Sequence, residues 1–293
     1  MKYSSRHHSP ERSQTGNNPV ERRESRGFTL LELILALSIT ALVVVSLSGL
    51  LLAVQNAWTV SKNYHDVGLH GRAILDRINW MVAQAGTYRI NGGPVHLGLS
   101  VISRSVDGVA LPETLVVWSG GRSGGIQEKR QPAISLPKVN ELVIYTPDPS
   151  TPNNLVEIQI ASNSSTIDFA DVNFATTIQS LITGSASGDR LKLTDRLRTC
   201  RITEFGSLLG NLRFELLQVP SDEQVTTTTI GSDQWYALPW AQGMGFSRGG
   251  LRTAAVRLEI QLETVRGSVF VGASSPTTIP ILGSASLRYA YRS

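Results

Sequence analysis

The chain has 293 residues, a formal net charge of +4, 41% hydrophobic residues and a single cysteine. That apolar content supports a folded core and argues against a disordered chain. Cys200 alone excludes an intramolecular disulfide, a redox pair and a multi-cysteine metal site, and a lone thiol of this kind is expected to be buried. In chain order, residues 1–27 come first as a polar leader. They hold Lys2, Arg6, Arg12, Arg22, Arg23 and Arg26 against Glu11, Glu21 and Glu24, which is +3 of the +4 and leaves +1 for the remainder. The basic balance is therefore no argument for a nucleic-acid partner, and none is expected. His7 and His8 read as leader polarity, not as metal ligands. Residues 33–61 then carry no charge, and Leu33–Val54 is almost wholly apolar. About 20 such residues span a bilayer core as a helix. Glu32 stands at the edge of that span, where an unpaired acid costs a few kcal/mol, so it is a functional candidate. Basic residues stay on the cytoplasmic side, which puts the leader in the cytoplasm and the bulk of the chain across the inner membrane.

Gly27-Phe28-Thr29-Leu30-Leu31-Glu32 resembles the class III signal of type IV prepilins and type II secretion pseudopilins. The resemblance implies cleavage after Gly27 by a membrane-embedded prepilin peptidase, and N-methylation of Phe28 by the same enzyme. It also implies that Glu32, fifth in the processed chain, pairs with the terminal amine of a neighbouring pilin or pseudopilin during fibre assembly. Phe28 and Glu32 are four residues apart and would share one helix face. A secretory signal peptide fits less well, because its apolar core is only about 7 to 15 residues. Val54-Gln55-Asn56-Ala57 is also a poor cleavage site of that kind. An ordinary signal anchor leaves Gly27 and Glu32 unexplained.

Beyond the span, Val60, Tyr64, Val67, Gly71, Ile74, Leu75, Ile78, Met81, Val82 and Ala85 recur at helical steps, opposite Lys62, Asp66, Arg72, Asp76 and Arg77. The pattern predicts an amphipathic continuation laid on a globular body, with the charged residues in solvent and Gly86 as the stop. One helix from 28 to 85 would be about 87 Å long. His65 and His70 are five apart and point to different faces, so both read as surface or boundary residues. The expected organisation is a leader over 1–27, a transmembrane and assembly helix over 28–57, its amphipathic continuation over 58–86, and a β-rich periplasmic domain over 87–293. The fold class is α+β, with a long N-terminal helix packed on an antiparallel domain, as in pilins.

Strands are expected at Leu115–Trp118, Glu141–Tyr145, Leu155–Ile160, Leu212–Val219, Ala254–Val265 and Ser268–Val271, with a further one at Ser286–Tyr291. Val256, Leu258, Ile260 and Leu262 alternate with Arg257, Glu259, Gln261 and Glu263, as in a half-buried antiparallel strand. Arg266-Gly267 reads as a hairpin turn into Ser268–Val271. Segments 119–133, 147–154, 161–168, 183–189 and 220–234 are expected as polar loops, the last with a Thr226–Thr229 low-complexity run. Asp189 to Arg201 reads as a solvated, mixed-charge helix or loop.

Enzyme readings fare poorly. Gly121-Arg122-Ser123-Gly124-Gly125 matches the nucleophile-elbow pattern, but no histidine follows His96 and the segment after it is a poor helix. Asp168 with Asp171, or Asp148 with Asn153 and Asn154, offers oxygen ligands without a calcium-loop spacing. No cofactor, metal or catalytic activity is expected. Within the resembled family, the J-type minor pseudopilin of type II secretion has a similar layout. It has a basic-and-leucine stretch like Gly71–Ile78 after its long helix and a late strand pair like Leu251–Val271. That branch implies a place in a short periplasmic pseudopilus serving protein secretion. A minor type IV pilin, a DNA-uptake pseudopilin and an anchored β-domain that builds no fibre are the alternatives.

Overall fold

The computed structural model describes residues 27–125, 132–201, 206–264 and 278–292. Helix α1 runs over Leu30–Ala83. After it come β1 (Thr87–Arg89), β2 (Val95–Leu97), β3 (Leu99–Val106), β4 (Val109–Trp118), β5 (Leu142–Pro147) and β6 (Leu155–Ile158). Helix α2 (Phe174–Gly184) precedes β7 (Arg190–Thr194), β8 (Thr199–Arg201), β9 (Leu208–Gly210) and β10 (Leu212–Val219). The short helices α3 (Asp222–Thr227) and α4 (Asp233–Tyr236) lead to β11 (Gly245–Phe246), β12 (Gly249–Glu263) and β13 (Thr278–Arg292). A long apolar N-terminal helix with an antiparallel, sheet-rich domain is an α+β, pilin-like architecture.

The chain divides into two compact units, Met1–Ala57 and Trp58–Ser293. In the first, every described residue from 27 to 57 is exposed, including Leu42 at 70% and Val45 at 72%. The hydroxyls of Ser38, Thr40, Ser46 and Ser48 donate to the carbonyls four residues earlier, so the only polar side chains of the apolar run are satisfied within the helix.

In the second unit α1 buries Val67, Gly71, Ile74, Ile78, Met81 and Val82, the stripe that the spacing predicts. Val60 lies outside it at 54% exposed. Five strands pair in the order β3-β4-β5-β6-β7, all antiparallel. One face of this sheet, with Leu115, Val117, Val143 and Tyr145, joins the α1 stripe and the inward residues of β12 in one core. The other face, with Val116, Trp118, Ile144 and Ile158, packs on Phe174, Ile178 and Ile182 of α2. A second sheet places β12 between β10 and β13, with β11 also on β12. Val256, Leu258, Ile260 and Leu262 are buried there while Arg257 is exposed, as the alternation predicts.

Several expectations need correction. Helix α1 begins at Leu30 and not at Phe28, because Thr29 caps it, and it ends at Ala83 and not at Ala85. Segment 183–189 is the end of α2 and a 3-10 turn, and 220–234 contains α3 and α4, so neither is plain loop. Thr226 and Thr227 close α3. Arg190–Thr194, expected as solvated helix or loop, is the edge strand β7, its backbone drawn into pairing with β6. The last strand spans Thr278–Arg292 and lies along the whole of β12. The expected turn at Arg266-Gly267 and strand at Ser268–Val271 lie outside the described residues, as do His7 and His8. Cys200 is exposed and not buried, because it sits on the two-stranded β8–β9 ribbon instead of in a core.

Candidate functional site

Gly27 and Phe28 precede the helix in a non-helical segment. Phe28 is 86% exposed and a Cβ on Gly27 would touch nothing within 4 Å, so the bond between them is open to an approaching protein. Helix α1 starts immediately behind it for a reason visible in four residues. Glu32 Oε2 accepts from the Thr29 amide and from the Thr29 hydroxyl, each at 3.0 Å, and the Glu32 amide donates to Thr29 Oγ1 at 3.3 Å. This is a Thr-x-x-Glu capping box, which satisfies donors that a helix start otherwise leaves open. The carboxylate also lies at the positive end of the helix dipole. The box was legible in the spacing of Thr29 and Glu32, though the carboxylate alone drew attention. Phe28 lies ahead of the cap, so it does not share a helix face with Glu32 in the uncleaved chain.

The other candidates fall in the second unit. Gly120, Gly121 and Gly124 have φ of +82°, +90° and +65°, and the loop they form holds Arg122 inward while Ser123 is exposed. Arg122 Nε lies 3.2 Å from Glu157 Oε1, and its Nη2 reaches the carbonyls of Glu157 at 2.9 Å and Asp189 at 2.5 Å. Glu157 is fully buried. Arg77 of α1 meets it with Nε to Oε2 at 2.9 Å and Nη2 to Oε1 at 3.0 Å, and Tyr145 donates to Oε2 at 3.0 Å. Burial, then the Glu157 charge, pushes the Tyr145 hydroxyl far above its usual range, and the hydrogen bonds to Glu157 raise Arg77. Arg77 was expected in solvent. It is instead the bidentate tie between helix and sheet, and the Gly-Arg-Ser-Gly-Gly loop is a structural part of that tie. A lone glutamate among Leu155, Val156 and Ile158 was the available signal, since an acid on a buried strand needs a cation.

The oxygen clusters are committed to their own backbone. Asp168 Oδ1 accepts from Tyr88 at 2.6 Å and from the Ala170 amide at 2.9 Å, and Asp171 Oδ1 takes the Asn173 amide at 2.8 Å. Asp148 pairs with Arg190 at 3.1 Å and accepts from Ser150 and Thr151, while Asn153 and Asn154 donate to Asp195 O and Thr151 Oγ1. His65 and His70 are both exposed. Among the described residues no group of three or more His, Cys, Asp and Glu could hold a metal ion.

Residues 22–53 match a family model described as the prokaryotic N-terminal methylation motif. No curated protein and no solved structure matches the chain. The match covers Gly27, Phe28, Glu32 and nearly all of the apolar run, and it supports a chain of the type IV pilin and pseudopilin kind. That kind is processed by a prepilin peptidase and assembles with other pilins. Together with an apolar helical window of mean hydropathy 2.6 that buries none of its residues, it supports anchoring in a membrane.

Proposed function

We propose that the chain is the precursor of a non-enzymatic fibre subunit, a J-type minor pseudopilin of a type II secretion pseudopilus. In this reading the prepilin peptidase cuts between Gly27 and Phe28 and methylates the Phe28 amine. The leader faces the cytoplasm, and the helix holds the subunit in the inner membrane with its β-domain in the periplasm. On assembly, contacts with neighbouring helices replace lipid around Leu33–Val54, and Glu32 takes the terminal amine of an adjacent subunit. One observation carries the proposal: an exposed, non-helical Gly27–Phe28 bond stands directly ahead of the capped helix whose residues match the methylation motif. A peptidase must bind its target as an extended chain, and the Thr29 cap keeps the helix from running back over the bond.

Mass spectrometry of the N-terminus tests this in cells with and without the prepilin peptidase. A chain starting at N-methylated Phe28, only when the peptidase is present, is the expected result. An intact leader in both strains would end the proposal. The secretion assignment has its own test. Loss of the gene should abolish export of type II cargo, and a defect confined to twitching or DNA uptake would move the subunit to a pilus or competence fibre.

A further inference from the structure

Strands β3 and β10 each end a sheet, so each has a paired neighbour on one side alone. A cavity of about 690 Å³ is lined by consecutive residues of both, Leu99-Ser100-Val101 and Arg213-Phe214-Glu215-Leu216. Successive side chains of a strand point to opposite faces. A cavity that meets every residue in a row therefore runs along the strand's edge and not over a face. Among the described residues, the backbone of these two segments bonds only to β4 and β12, which leaves the outward amides and carbonyls open. The floor adds apolar surface from the buried Leu97, Leu99 and Phe214, while Arg213 stands exposed at the rim. Open donors and acceptors beside apolar pockets are what an added strand uses: backbone bonds supply affinity, and alternate side chains supply selectivity.

The size of the groove selects its occupant. A strand within a sheet takes up about 4.8 Å by 10 Å and advances about 3.3 Å per residue, so the cavity holds roughly four residues of one strand. The free edge β13 of a second copy brings a whole sheet with it and does not fit such a space. We propose that the groove between β3 and β10 receives a single extended segment of a partner protein, added as a strand, with alternate apolar side chains on Leu97, Leu99 and Phe214. The proposal depends on the β-domain alone and stands whether or not the chain enters a fibre.

The test uses the full chain in detergent micelles and an acetylated, amidated peptide of about eight alternating Thr and Val residues. A second peptide of the same sequence, N-methylated at alternate amides, keeps the side chains and loses half the backbone donors. Hydrogen exchange read by mass spectrometry should slow about tenfold at residues 99–102 and 213–218 with the first peptide and stay unchanged with the second. Ser100→Trp, which fills the groove, should abolish the protection without lowering the melting temperature. Arg213→Trp, from an exposed position on the other wall, serves if the first variant does not fold. Protection at β13 instead, equal protection by the methylated peptide, no protection by either, or concentration-dependent protection without peptide would each overturn the proposal.

Discussion

Glu32 has two oxygens, and the capping box uses Oε2 alone. The proposed pairing with a neighbour's amine can therefore take Oε1 without uncapping the helix, so one carboxylate can serve both the precursor and the fibre. Glu32→Ala should leave membrane insertion intact and sharply lower incorporation into sheared fibres. Glu32→Gln discriminates between the roles, because its amide oxygen keeps the cap but carries no charge. It should fail in assembly as Ala does, and normal incorporation of Gln would show that the cap, not the charge, matters. The second buried acid has a different weight. Removing Glu157 strands the Arg77 and Arg122 guanidiniums against a buried sheet face, so Glu157→Leu should cost about 3 to 5 kcal/mol in denaturant unfolding of the micelle-bound protein. Glu113 sets a pH dependence. Burial raises its carboxyl above the usual range, against the opposing pull of Arg104, so its ionisation disfavours the folded state. That stabilising contribution is present at low pH and is lost as pH rises through the raised value. Glu113→Gln should therefore gain on the wild type between about pH 4 and about pH 7 in thermal melts, and a gap that shrinks with pH would refute the sign. Of these residues only Glu32 was legible as special, because an acid at the edge of an apolar run needs no partner to be noticed. Glu157 and Arg77 are 80 residues apart in the chain, and their meeting depends on how the helix crosses the sheet.

At the scale of elements, the close approach of α1 to the second sheet depends on Gly71. A Cβ there would fall on Ile281 Cδ1 and lie 3.3 Å from Leu262 Cδ1, while Leu75 covers Gly283 in the same way. Gly71→Ala gains about 1 kcal/mol of helix propensity and loses about 1 to 3 kcal/mol to overpacking, so the net effect is destabilising by up to about 2 kcal/mol. Adding Ile281→Val frees the space. The double variant should regain stability relative to Gly71→Ala, and strict additivity of the two changes would sink the contact. The helical stripe, the long apolar run and the alternation of β12 were readable because each repeats over several turns or pairs. The missed elements had weaker or overlooked signals. Asp107-Gly108, with φ of +51° and +79°, is a two-residue turn of the kind that joins β3 to β4, and the dipeptide itself announces it. Phe174, Ile178 and Ile182 mark α2 at four-residue steps, but polar Thr, Gln and Ser between them mask a helix that forms because the sheet offers it an apolar face. The strand β7 carries Arg190 and Lys192, and only its pairing with β6 outweighs that charge.

For the whole molecule, the two compact units differ in what stabilises them. Described residues 27–57 are exposed throughout, so as an isolated chain they rely on helix hydrogen bonds and on whatever apolar medium surrounds them. Residues 58–293 contain both hydrophobic cores, the Glu157 cluster and every strand. Removing the first 57 residues therefore takes away no buried contact. What it does remove is the helix preceding Trp58, which leaves a new N-terminus several turns ahead of Val67, the first buried residue of α1. Those turns carry exposed Trp58 and Val60 and should fray, whereas the stripe from Val67 to Val82 is tied down by core packing and by Arg77. A chain of residues 58–293 should consequently be soluble without detergent and unfold in one cooperative transition. Its melting temperature should lie within a few degrees of the second unit's transition in the micelle-bound full chain. Amide exchange should be fast up to about Asp66 and slow from Val67 onward. Aggregation, or a melting temperature tens of degrees lower, would mean that the apolar helix contributes to the fold of the β-domain. In that case the helix could not exchange lipid for neighbouring subunits without disturbing the domain it carries.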